Sequence, residues 1–349
     1  VKVLVSEVGF EREEIVSGVQ KILDELNPIE DPEPEEFFLF KPNLTSDKPS
    51  IYSGIVTNTH VVEGAVAWTR EKFPSARLAV VDSDSDGTAD RAFDRLGYRN
   101  LQDRYGLELI RLDTQPFYKL QVEKGLVRSL SLPEVFFEAT RLVNIATLKR
   151  HVHERITCCW KNMWGIPSCL RERLEMHPFL REALLALNTH LVPSFCLVDA
   201  VTGLQGPGPL EGTPVPIGKV LASTDMLAVD WAAAKMLGDK AKKVPILRHA
   251  MKKLKFDPKE IQVQGEAFQV HPLKWIPPKA FFFYRLGLRL RRLSLRLNNL
   301  ATLLWLTGYA MRLGSVGEYA GGGIQTLRGS LKMAKDFALR FEVARRIYG

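Results

Sequence analysis

Short apolar runs, each ending in polar residues and separated from the next by a stretch of helical periodicity, constrain this chain more than any other feature. Lys2 to Val8 alternates like a strand, and Ile15, Val19, Leu23 and Leu26 follow at helical spacing until Asn27-Pro28. Phe37 to Phe40 reads as a buried strand, and Thr57-Asn58-Thr59 offers N-cap chemistry ahead of Val61, Val62, Ala65, Val66 and Trp68. Leu78 to Val81, Leu107 to Leu112 and Arg141 to Leu148 continue the series, while Leu120 to Leu132 reads as a hairpin or an insertion. Strands alternating with helices require crossovers, so the expected fold class is α/β: a mainly parallel sheet with helices on both faces, in two sub-domains.

In such folds ligands bind at the carboxyl ends of the strands, which directs attention to the stretch from Asn144 to Gly165. A short apolar run there meets Lys149, Arg150, His151 and His153, then Thr157, Lys161, Asn162 and Gly165. Lys149, Lys161 and Asn162 supply donors for a carboxylate or phosphate, and Lys41 and Asn43, just past an earlier strand, can add to them. Thr157 and the backbone at Gly206, in the Gly/Pro-rich run after Asp199, complete the expected anion-binding set. His151 and His177 are the candidates for proton transfer near neutral pH, with Lys149 beside them. Asp82, Asp199 and Asp230 are candidates to hold a divalent cation or orient a histidine. For each histidine the plainer alternative is a structural residue, and Cys158, Cys159, Trp160 and Trp164 read as core.

Several assignments are excluded. Asp82-Ser83-Asp84-Ser85-Asp86-Gly87 begins like a calcium loop, but its twelfth position is Phe93 rather than an acid. Neither a nucleotide P-loop nor a dinucleotide glycine motif is present. The four cysteines lack zinc or iron–sulfur spacing, so an iron–sulfur cluster is not expected and a reducing, cytoplasmic setting is. No uncharged apolar run approaches the roughly 20 residues of a membrane span, and no secretory leader is visible.

The net charge of +8 is concentrated at one end: Ala280 to Gly349 holds twelve Lys/Arg against three Asp/Glu, a surplus larger than that of the whole chain. Leu286, Leu290, Leu293, Leu297, Leu300 and Leu304 keep a helical seam beside Arg285, Arg289, Arg292 and Arg296. This basic amphipathic tail, residues 279–349, can lie on an anionic membrane surface or pack on the body or a second subunit. It carries no nucleic-acid module, so a nucleic-acid partner is not expected. Residues 1–240 then form the α/β body and 241–278 connect it to the tail.

Lys41-Pro42-Asn43, Asp82-Ser83, Lys149 with His151, Thr157 with Lys161-Asn162 and Gly165, His177, Asp199 with Gly206-Pro207 and Gly212, and Asp225 with Asp230 occur in this order. As a set they resemble the domain-of-unknown-function family 362 over Phe37 to Gly238. Many relatives carry ferredoxin-like modules with four-iron clusters, and this chain has no cysteine pattern for one. The family's K-x-K-T-H-like element stands here as Thr147-Leu148-Lys149-Arg150-His151, with Thr at the first Lys position. More remotely the family is similar to lactate racemase-type proteins, which use two α/β domains and a nickel-pincer nucleotide; that likeness implies a nucleotide-like cofactor or a metal. Two functions remain open: an enzyme acting on a small anionic metabolite through histidine acid/base chemistry, and a non-catalytic ligand-binding or membrane-peripheral accessory protein.

Overall fold

A computed structural model describes residues 1–83, 89–122, 127, 129–167, 172–173, 176, 179–265 and 268–275. His177, the loop at 84–88, Cys169 and the tail at 279–349 lie outside the described residues, so the expected C-terminal helices are not part of the description.

The strands are β1 (Lys2–Glu7), β2 (Phe37–Lys41), β3 (Arg77–Asp82), β4 (Glu108–Arg111), β5 (Phe117–Gln121), β6 (Ser129–Pro133), β7 (Arg141–His151), β8 (Arg155–Thr157), β9 (Phe195–Gln205), β10 (Thr213–Ser223) and β11 (Gln262–Gly265). The main helices are α1 (Arg12–Leu26), α2 (Thr59–Lys72), α3 (Ala89–Arg95), α4 (Tyr98–Tyr105), α5 (Val135–Glu138), α6 (Cys159–Asn162), α7 (Leu180–His190), α8 (Met226–Met236) and α9 (Pro245–Leu254). One sheet organises them, in the order β11-β1-β10-β9-β7-β2-β3-β4, with β8 added beside β7. The pairings from β9 through β7, β2 and β3 to β4 are all parallel, as the alternating pattern predicts. The exception in that order is β10, antiparallel to both β9 and β1. β5 and β6 form a separate antiparallel pair, the hairpin expected near Leu120 to Leu132. The sheet extends into the expected connecting segment, because β11 pairs with β1.

Alternation along the strands assigns the helices to two faces. Phe38, Phe40, Val143, Ile145, Phe195 and Leu197 belong to one buried cluster with Ile15, Val19, Val61, Val62 and Trp68 of α1 and α2. A Cβ at Gly64 would lie 2.6 Å from Val19 Cβ, so the absence of a side chain there is what lets α2 sit against α1. Asn58 caps α2 by accepting from His60 N at 2.9 Å. Asn144, between Val143 and Ile145, points to the opposite face, where its Nδ2 donates to Cys159 O of α6 and meets Met226 Sδ of α8.

Three strands overrun their sequence signals. β7 continues through Lys149, Arg150 and His151 and folds back as β8, with Lys149 opposite Thr157. β9 and β10 extend well into the Gly/Pro-rich region as an 11-residue pair. The site follows from the first overrun. β2 flanks β7 only as far as Asn144, and β8 begins opposite Lys149, so residues 145–148 of β7 have no strand on that side among the described residues. The loop after β2 fills this gap: Thr57 Oγ1 donates to Ile145 O at 2.9 Å and accepts from Asn43 N at 2.8 Å.

Candidate functional site

Lys41 ends β2, Asp82 ends β3, and Lys149 stands where β7 passes beyond both, so a lysine-rich cluster forms at the carboxyl ends of adjacent parallel strands. Lys41 and Lys149 are fully buried. Lys41 Nζ lies 2.8 Å from Asp82 Oδ1 and donates to Pro42 O at 2.6 Å. Burial pushes its ammonium below the usual lysine range, and Asp82 opposes that shift. Asp82 is held by the amides of Leu44 and Ser83, both at 2.8 Å. Gly165 covers the pair: a Cβ there would sit 3.0 Å from Lys41 Nζ and 3.1 Å from Asp82 Oδ1, so a side chain at this position would press on both members of the pair.

Among the described residues no carboxylate pairs with Lys149. Its Nζ donates to Asn43 Oδ1 at 3.0 Å and to Ile55 O at 2.5 Å. Burial, then the field of Lys161, then that of Lys41 push its pKa well below the ordinary value, with Asp82 acting the other way. Lys161, half-buried on α6, is pushed down to about 8 by burial, with Glu154 opposing. Glu154 is itself raised by burial, and its carboxylate is shared with Arg181 at 3.1 Å. Ammonium groups therefore outnumber the carboxylates that act on them among the described residues. Two buried hydroxyls stand on the same face of the sheet as Lys149, Thr157 across the β7–β8 pair and Thr147 two residues back along β7; neither has a hydrogen-bond partner among the described residues.

The other expected site residues are placed as follows. Asn43 and Asn162 lie inside the cluster, joined by Asn43 Nδ2 to Asn162 Oδ1 at 3.1 Å. His151 is buried on the same face as Lys149, and its Nδ1 accepts from the amides of His153 and Glu154, both at 3.2 Å. Those two donors fix the tautomer with the proton on Nε2, so the ring presents a donor rather than a base. Gly206 has φ +98°, but its amide donates to Lys274 O at 2.8 Å and is not offered to a ligand. Asp199 accepts from the amides of Asn58 at 2.7 Å and Val201 at 3.0 Å, which anchors β9 to the start of α2; burial raises it to about 7.

Asp82, Asp199 and Asp230 each have separate partners, and potential metal ligands group instead at Cys158, Cys159 and Asp230, whose donor atoms all lie within 4.8 Å of one another. Thiol donors at this spacing suit a thiophilic cation better than calcium or magnesium. Asp230 also accepts from Cys159 N at 2.8 Å and Trp160 N at 3.0 Å, and burial raises it to about 7. Burial pushes both thiols well above their usual range, so a cation there would have to displace their protons. The isolated sequence gives Asn144 and Ser83 no role. Asn144 was detectable as a polar residue inside an apolar strand. Ser83 accepts from Arg173 Nη1 at 2.6 Å.

A family model for the domain of unknown function DUF362 matches residues 39–235, which contain every residue of this cluster. The chain belongs to that family. A thylakoid-associated protein of Synechocystis sp. is 22% identical over 237 residues, covering 66% of this chain and 72% of that protein. Among solved structures, the lactate racemase apoprotein of Thermoanaerobacterium thermosaccharolyticum aligns with a TM-score of 0.40 and 11% identity, over 67% of this chain and 56% of that one. The chain thus spans just over half the length of that structure.

Proposed function

We propose that the chain is an enzyme acting on a small carboxylate or phosphate metabolite, which it holds at Lys149 and Lys161. The supporting observation is Lys149: a buried amine on two neutral oxygens, in the field of two further lysines, beside the hydroxyls of Thr147 and Thr157, which have no partner among the described residues. An anion placed there restores the charge balance that burial removes, and its oxygens can accept from these hydroxyls. Lys161, at about 8, can take up or release a proton near neutral pH, which suits a general acid or base. His151, with its proton on Nε2, is a hydrogen-bond donor in this scheme.

A thiophilic cation at Cys158, Cys159 and Asp230 would supply Lewis acidity on the Asn144 face of the sheet, whereas Lys149 lies on the other. Proton transfer at the lysines does not depend on it. The test is calorimetric titration of the full chain with inorganic phosphate and with malonate. The wild type is expected to bind one of them with uptake of a proton, and Lys149→Met to weaken that binding at least about tenfold, a loss of about 1.4 kcal/mol. Absence of binding by the wild type to both anions contradicts the reading.

A membrane-peripheral accessory role is the second reading. The basic tail favours it, as does the name of the thylakoid-associated relative. No described helix is long and apolar enough to cross a membrane. Flotation with anionic vesicles that is lost on deleting residues 279–349, in a chain that binds neither anion, would favour this reading over the first.

A further inference from the structure

Beneath the lysine cluster a line of three asparagine amides crosses the gap between β2 and β8. Asn144 Nδ2 donates to Cys159 O at 2.9 Å, and Asn144 Oδ1 accepts from Asn162 Nδ2 at 2.9 Å. Asn162 Oδ1 accepts from Asn43 Nδ2 at 3.1 Å, and Asn43 Oδ1 accepts from Lys149 Nζ at 3.0 Å. Asn162 Nδ2 also donates to Lys41 O at 3.1 Å, which ties the line to the end of β2. All three asparagines are buried.

The ends of this line dictate its sense. A backbone carbonyl can only accept, and an ammonium can only donate. Each amide between them must therefore present its nitrogen toward Cys159 and its oxygen toward Lys149, since reversing any one would set donor against donor or acceptor against acceptor. The orientation of Asn43, which faces Lys149, is in this way set by two residues whose hydrogen bonds in this line go to groups other than the lysine.

We propose that Asn144 and Asn162 are positioning residues for anion capture at Lys149, acting through Asn43 to keep one amide oxygen aimed at the lysine nitrogen. This rests on the anion-binding reading above. With its acceptor locked in place, Lys149 is held at the β2–β8 gap, where one N–H of its ammonium remains for a ligand. The charged groups that act on it from the packed elements are Lys161 of α6, Lys41 of β2 and Asp82 of β3. An amide line adds an oriented dipole to this set without adding a carboxylate that would compete with the ligand.

The experiment follows the Lys149 Cε resonance in full-length protein labelled with [13C]lysine, assigned by its loss in Lys149→Met, through a neutral-to-alkaline titration. Asn162→Leu and Asn144→Leu break the line and free Asn43 to rotate, so the Lys149 midpoint falls, by about half a pH unit or more. Asn162→Asp keeps an oxygen on Asn43 Nδ2 and adds a carboxylate that the surrounding lysines keep ionised, so the midpoint rises. Opposite movement is the signature, because loosened packing would shift all three variants the same way. A common direction, or no movement in Asn144→Leu and Asn162→Asp, overturns the proposal even where Asn162→Leu fails to fold. Inorganic phosphate affinity, measured in parallel, separates the two levels of inference. A wild type that takes up neither phosphate nor malonate but shows the opposite shifts removes the anion reading and keeps the positioning role. Phosphate binding with an unmoved resonance removes the positioning role alone.

Discussion

Replacing Lys161 with methionine should stabilise the fold while impairing the site. The ammonium is pushed from the ordinary value of 10.5 to about 8 by burial, with Glu154 offsetting only part of that. Each pH unit corresponds to about 1.4 kcal/mol, so the protonated side chain costs the folded state about 3 kcal/mol, trimmed to about 2 kcal/mol by solvent screening at a half-buried position. The sign follows from proton counting. Between 8 and 10.5 the unfolded chain binds more protons than the folded one, so Lys161 makes stability rise with pH across that window; below 8 both states are protonated and the penalty is complete. Lys161→Met should thus be more stable than the wild type by about 2 kcal/mol at neutral pH, and the gap should shrink as pH approaches 10.5. Glu154 keeps Arg181 in the variant, so no uncompensated carboxylate is created. Urea unfolding followed by circular dichroism, at neutral and alkaline pH, measures both quantities. A variant that is no more stable at neutral pH, or a gap that does not change with pH, would refute the reasoning. A gain in stability at the expense of ligand affinity is the pattern expected of a residue kept for function.

Separating the Lys41–Asp82 pair by Asp82→Asn should destabilise by about 3 kcal/mol or more, because a buried ammonium loses its carboxylate; equilibrium unfolding reads this, and a near-neutral effect would show that the pair is not closed in solution. Gly165→Ala places a methyl against both members and should cost about 1–3 kcal/mol and weaken phosphate binding, whereas an alanine variant with unchanged stability and affinity would remove Gly165 as a close cover. Phosphate should raise the melting temperature more at pH 7 than at pH 10, since Lys149 and Lys161 bind an anion better when protonated; equal shifts at the two pH values would contradict proton-linked binding. Asp199, raised to about 7 from 3.8, makes the fold lose stability as pH rises through that interval, so Asp199→Asn should flatten the dependence there, and an unchanged slope would count against a buried carboxyl.

The parallel strands were legible because β2, β3 and the first half of β7 are short apolar runs buried on both faces, and Asn58 announced the start of α2 by its capping chemistry. The overrun of β7 was not legible. Lys149 and Arg150 look like the polar end of a strand, yet they remain in the sheet because distant groups satisfy them: Asn43 and Ile55 for Lys149, and the carbonyls of Leu237 and Leu273 with Asp239 for Arg150. Such partners lie about a hundred residues away along the chain, beyond the reach of local periodicity. For the same reason Asp230 could not be assigned to Cys158 and Cys159 rather than to the other aspartates, since the grouping is created by α8 packing on α6. Lys41, Asn43 and Lys149 were visible as polar residues at or just past strand ends, and Lys161 and Asn162 as donors shortly after; their convergence was a property of the sheet order.

The most direct test is anomalous diffraction from crystals of this chain soaked in selenate, a phosphate-sized oxyanion with a strong scatterer. An ordered selenate within hydrogen-bonding distance of both Lys149 Nζ and Lys161 Nζ is the predicted result. Crystals that take selenate onto surface arginines while leaving those two amines without an anion would contradict it.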